Sequence, residues 1–200
     1  ADKDLTIYVH GANTSVGRAT GQAAQYRHFT GRNSVVLSYI WPSAENFLRF
    51  GHDVNSAART APAFAHLLRM LAAHTHAEHI DVIAYSSGAM VASPGLALLG
   101  TVSAGYDPAS MRLGEIYYPA PDADFRRFVS ELQVYHAYPQ RVTVTANLHD
   151  SVLVLSRLHQ RGSRAGRPDP DELSAEDSQW MIEASNNLGF DLLSARSEDL

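Results

Sequence analysis

Two hundred residues, 45% of them apolar and 18% charged, suit one globular domain that can bury a sizeable core without disulfide staples. A net charge of −5 disfavours nucleic acid and anionic membrane surfaces as partners, and the absence of cysteine excludes disulfides, thiol catalysis and Cys-ligated metal sites. Lys3 is the only lysine, which removes lysine-dependent mechanisms, and no run approaches the ~18 apolar residues of a membrane span or reads as a basic-then-apolar leader.

Along the chain, short apolar runs rich in β-branched and aromatic residues begin with Leu5-Thr6-Ile7-Tyr8-Val9 and recur at 35–40, 80–85, 115–119, 141–146 and 190–194. They show little polar alternation, the pattern of strands buried on both faces. Helical spacing lies between them. Phe64, Leu67, Leu68 and Leu71 fall at i, i+3, i+4 and i+7, as do Phe125, Phe128, Val129 and Leu132. Met181, Ala184 and Leu188 follow a capping box of Ser174 with Asp177. Strands alternating with helices predict right-handed crossovers and an α/β fold with a mostly parallel sheet flanked by helices on both faces. Residues 161–172 and 102–114 read as loops, the first placed where a lid or a surface excursion would sit. The strand at one end and the strand pattern at residue 5 suggest a single domain over 1–200, incomplete at both ends.

Chemistry concentrates after the third strand. Ile80-Asp81-Val82-Ile83-Ala84-Tyr85 runs into Ser86-Ser87-Gly88-Ala89-Met90-Val91, so Ala84-Tyr85-Ser86-Ser87-Gly88 is a variant of the G-x-S-x-G elbow. A serine on so tight a strand-to-helix turn needs small residues two before and two after it. The turn leaves Oγ exposed over a helix N-terminus that favours negative charge. A serine N-cap on a crossover helix is the plainer reading. The first strand runs directly into His10-Gly11-Ala12-Asn13, and a loop of this kind donates one oxyanion N–H while the residue after the nucleophile donates the other. The donors here would be the amides of Ala12 and Ser87, with His10 shaping the loop.

Taken in order, His10-Gly11-Ala12-Asn13-Thr14-Ser15, Tyr39-Ile40-Trp41-Pro42-Ser43, Ala84-Tyr85-Ser86-Ser87-Gly88, Ala120-Pro121-Asp122-Ala123-Asp124 and Asn147-Leu148-His149-Asp150 with Leu155-Ser156-Arg157 span nearly the whole chain. In this order they resemble a bacterial α/β-hydrolase family of unknown function, of the esterase/lipase superfamily type. Tyr85 stands where that family usually has His, and Ile40 where it has Ser. The resemblance implies the α/β-hydrolase fold and a carboxylic-ester hydrolase.

A hydroxyl needs a general base, and the base an orienting acid. In this fold the acid follows a late strand, so Asp150 is the first candidate and Asp122 the second; either could instead be a helix N-cap. The resemblance places the histidine beyond the last strand. His159 is the only histidine after Asp150 and reads as an exposed helical residue, so the base is expected beyond residue 200. His74, His76 and His79 mimic a metal set but join a helix end to a strand, where the helix dipole alone favours them.

Two other readings compete. Gly11-Ala12-Asn13-Thr14-Ser15-Val16-Gly17 resembles the glycine-rich turn of an NAD(P)-dependent short-chain dehydrogenase, but Ser15 puts a Cβ where pyrophosphate must approach and no Tyr-x-x-x-Lys pair exists. A catalytically inactive hydrolase-fold binding module would also show an elbow without its base. The chain is expected to be a serine hydrolase with Ser86 as nucleophile, Asp150 as acid and the Ala12 and Ser87 amides as oxyanion donors. No cofactor and no metal are implied, and the expected partner is a small-molecule ester substrate.

Overall fold

The computed structural model describes residues 4–44, 50–101, 107–147, 153, 162–187 and 190–194. Six strands appear where the apolar runs place them: β1 (Asp4–Val9), β2 (Ser34–Tyr39), β3 (His79–Ala84), β4 (Leu113–Tyr118), β5 (Arg141–Ala146) and β6 (Phe190–Ser194). They pair, all parallel, in the order β2-β1-β3-β4-β5-β6. Among the described residues five helices lie between them: α1 (Val16–Phe29), α2 (Phe50–His74), α3 (Ala89–Thr101), α4 (Phe125–Tyr135) and α5 (Ala175–Asn187).

Each boundary has a local cause. Ser15 caps α1, its hydroxyl accepting from the Arg18 amide, and Asp124 caps α4 by accepting from the Arg127 amide. Ser174 opens α5 through the expected box: its Oγ accepts from the Asp177 amide and donates to the Asp177 carboxylate. That contact holds the Asp177 carboxyl below the usual carboxylate range.

The core lies on one face of the sheet. Leu5, Ile7 and Val9, Ile80 and Val82, Ile116 and Tyr118, and Val142 and Val144 meet α2, α3 and α4 there. Helix α2 contributes Phe64 and Leu68, fully buried, while Leu67 and Leu71 of the predicted stripe are half-buried. Gly95 lets α3 approach α2 closely, since a Cβ there would stand 2.7 Å from Phe64 Cδ1. Helix α4 buries Phe125, Phe128, Val129, Leu132 and Tyr135. The Tyr135 hydroxyl meets that of Tyr118 at 2.7 Å and reaches Ser93 at 3.3 Å, so these buried polar groups are satisfied.

The second face departs from the expectation of strands buried on both sides. Burial alternates along β3, and Thr6, Asp81, Ile83, Tyr117 and Thr143 line a groove of about 500 Å³ beside Tyr26 of α1. Asp81 and Glu115 lie along this groove, and partial burial raises the Asp81 carboxyl above its ordinary pKa. The apolar runs mark the strands, but within a run of Ile and Val the sequence cannot distinguish a covered face from a partly open one. No described helix is long and apolar enough to cross a membrane.

Candidate active site

The strand order reverses at β1: the chain passes from β1 outward to β2, then returns to place β3 on the other side of β1. Open α/β sheets bind ligands in the crevice at the carboxyl ends of the strands where the order switches. Two loops leave the sheet there, residues 10–15 after β1 and residues 85–88 after β3.

The second loop makes a sharp turn. Tyr85 is extended and its amide still reaches the Val9 carbonyl at 3.0 Å. Ser86 follows with φ +50°, and a 3₁₀ turn over Ser86–Gly88 leads straight into α3. A left-handed backbone at a residue with a Cβ is strained, by roughly 1–3 kcal/mol, and such strain clusters at functional sites. The turn holds because the two loops interlock. A Cβ on Gly88 would lie 2.5 Å from the Val9 carbonyl oxygen and 2.9 Å from that of His10, while one on Gly11 would lie 3.1 Å from Ser86 Cβ. Ala84, the small residue on the other side, is fully buried. Gly88→Ala forces a methyl group into backbone atoms that cannot yield. It is expected to lose about 3 kcal/mol of stability, read as a fall in Tm, whereas Gly17→Ala, in open space on α1, leaves Tm nearly unchanged.

Ser86 itself is partly exposed. Its amide donates to the Pro119 carbonyl at 3.1 Å, and its carbonyl accepts from the Asp122 amide at 3.0 Å. Ser87 sits in the first turn after it, where backbone N–H groups have no acceptor within the helix. Ala12 follows Gly11 against the serine, and Asn13 is left-handed with φ +50°, which turns the loop away from β1. The structure therefore packs Gly11 against Ser86, with Ala12 next to Gly11 and Ser87 next to Ser86 in the chain. Asp150 and His159 lie outside the described residues.

His10 is locked. Its ring stacks on Trp41 with centroids 5.3 Å apart and planes 10° apart. Nε2 accepts from the Trp41 amide at 3.2 Å, Nδ1 meets the Gly11 carbonyl at 2.8 Å, and the Trp41 indole donates to the His10 carbonyl at 2.7 Å. These contacts assign the neutral Nδ1–H tautomer. Burial pushes the His10 pKa below its ordinary 6.5. Below pH 6.5 the unfolded chain takes up a proton that folded His10 refuses, so stability present above that pH is lost as pH falls. The wild-type Tm should decline below pH 6.5, and His10→Gln should show a shallower decline in the same scan.

Asp122 is not the N-cap of α4; Asp124 is. Asp122 lies buried beneath the elbow, accepting from Ser87 Oγ at 3.3 Å through Oδ2 and from Arg164 Nε at 2.6 Å through Oδ1. Arg164 belongs to residues 162–167, which are a buried strap and not a surface excursion. Ala165 donates to the Ala123 carbonyl, Gly166 to that of Pro121, and Phe125 to that of Ser163. Ser163, Arg164 and Ala165 are all fully buried. Nothing in the local pattern of a Gly-Ser-Arg-Ala-Gly stretch signals this, since the partner lies 42 residues away.

The histidines at the helix-to-strand junction sit at the opposite edge of the sheet from Ser86. His79 opens β3 and meets Asp4 at 3.1 Å. Among the described residues no histidine is hydrogen-bonded to Ser86. At the turn into α1, the Ser15 hydroxyl already occupies the helix N-terminus, where a dinucleotide's pyrophosphate would need bare backbone.

Residues 1–196 match the model of a family described as alpha/beta hydrolase of unknown function (DUF900). No curated protein sequence gives a match. Among solved structures, a cold-adapted esterase from an Arctic intertidal metagenomic library, in its zinc-bound form, is 13% identical with a TM-score of 0.52, over 98% of this chain and 73% of its own. Thermogutta terrifontis esterase 2, phosphoramylated by tabun, is 13% identical with a TM-score of 0.47, over 98% of this chain and 72% of its own.

Proposed function

This chain belongs to the alpha/beta hydrolases of unknown function (DUF900), and on that premise we propose that it is a serine hydrolase acting on carboxylic esters. The observation that carries the reading is the left-handed Ser86, held in strain at the switch point of a parallel sheet directly before α3. A residue kept in that conformation by two interlocked glycine contacts presents its hydroxyl to the crevice.

In the proposed reaction Ser86 Oγ attacks the acyl carbon. The amides of Ala12 and Ser87 hold the oxygen that becomes negative, and the N-terminus of α3 favours the same charge. Asp150 orients the histidine that takes the serine proton and later delivers it to the departing alcohol. Water then repeats the attack on the acyl-enzyme and releases the acid. No metal or cofactor takes part in this scheme. Esters are the first substrate class to test because the Arctic library protein that shares the fold is described as an esterase.

Labelling the full-length protein with a fluorophosphonate and mapping the adduct by mass spectrometry tests the proposal. A single adduct on Ser86 is expected. A folded sample that takes no label overturns it and leaves the inert binding module as the reading of the same fold.

A further inference from the structure

The loop after β4 runs against the elbow and is tied to it through both backbone groups of Ser86. Its Pro119 carbonyl accepts from the Ser86 amide, and its Asp122 amide donates to the Ser86 carbonyl. The Asp122 carboxylate also accepts from the Ser87 hydroxyl and from Arg164. The loop's own place is set by the strap 162–167, whose Ala165 and Gly166 amides donate to Ala123 and Pro121. Gly166 packs so closely on this loop that a Cβ would lie 2.8 Å from the Ala120 carbonyl carbon.

We propose that Asp122, held by Arg164, is a positioning residue that fixes the Ser87 amide toward the reacting carbonyl through the Ser87 hydroxyl. This rests on the serine-hydrolase reading. The Asp122 carboxylate accepts from Ser87 Oγ on one oxygen and from Arg164 Nε on the other, so it ties the residue that carries the oxyanion amide to the strap. Oxyanion stabilisation depends on donors preset at 2.7–3.1 Å from an atom that exists only in the transition state, so a small drift of the Ser87 amide acts on turnover and not on substrate binding.

The experiment is steady-state ester hydrolysis and its pH profile for wild type, Ser87→Ala, Asp122→Asn and the double variant, each checked for folding by circular dichroism. Ser87→Ala keeps the backbone N–H and removes only the tether. It is expected to lower kcat about tenfold, with KM within about twofold and the midpoint of the pH profile unmoved. Asp122→Asn replaces the charged acceptor of the Ser87 hydroxyl with a weaker neutral amide, so it should lower kcat in the same direction but by less, and the double variant should be no slower than Ser87→Ala, because both changes act on one tether. Should Asp122→Asn fail to fold, Ser87→Ala decides alone. Full kcat in Ser87→Ala, or losses that multiply in the double variant, overturns the proposal. So does a displaced pH midpoint in Asp122→Asn, which would make Asp122 the partner of the base. A folded wild type with neither turnover nor fluorophosphonate label overturns the serine-hydrolase reading itself, and this inference with it.

Discussion

Ser86→Ala is expected to abolish ester hydrolysis, lowering kcat by about 10⁴-fold or more, while the protein stays folded. The two consequences separate because of where Ser86 stands. Its hydroxyl has no bonded histidine among the described residues and its side chain is partly exposed, so its loss opens no cavity in the core. Its backbone, however, is left-handed at φ +50°. Alanine keeps that strain and should melt near wild type. Ser86→Gly relieves it and should melt roughly 2–4 °C higher, the equivalent of about 1 kcal/mol in a domain of this size. Activity surviving Ser86→Ala would sink the assignment. A glycine variant that melts lower would show that the turn is not strained.

Arg164→Met is expected to produce the largest loss of stability, about 3–5 kcal/mol, or a fall in Tm of roughly 10 °C. The Arg164 side chain is 1% exposed and that of Asp122 5%, with Nε and Oδ1 2.6 Å apart. Removing the guanidinium strips its facing charge from a carboxylate that water barely reaches. The pair as a whole is a different matter. Among the described residues Arg164 Nη1 and Nη2 are both buried without a hydrogen-bond partner, so desolvation offsets much of the attraction. Arg164→Met combined with Asp122→Leu should therefore recover most of the lost Tm, though not the turnover. A single variant as stable as wild type would show that the strap's backbone bonds alone hold the loop.

Much of the fold is legible in the chain because a parallel sheet writes itself locally. All six strands fall within two residues of their apolar runs, since buried β-branched runs have few other uses. The Phe125, Phe128, Val129, Leu132 stripe is the buried face of α4, and Ser174 with Asp177 closes the box that opens α5. The elbow is legible for the same reason: a serine on a turn this tight requires Ala84 and Gly88 around it, so the constraint lies within five residues.

Other features are decided between segments distant in sequence. Asp122 offers itself equally as an acid or a cap; only the arrival of Arg164, 42 residues later, turns its carboxylate beneath Ser87. His10 reads as loop-shaping, but its neutral state follows from burial and from the amide of Trp41, 31 residues away, donating to Nε2. The half-open second face and the buried strap were likewise invisible, because burial belongs to what packs over a segment and not to its own composition. The strands, the helical stripes, the box at Ser174 and the small residues that permit a strained serine are legible in the chain, since each depends on neighbours a few residues away. The tertiary structure decided the order in which the strands meet, the crevice that order opens beside β1, and the charge that clamps the elbow from below. Those depend on contacts between residues that only folding brings together.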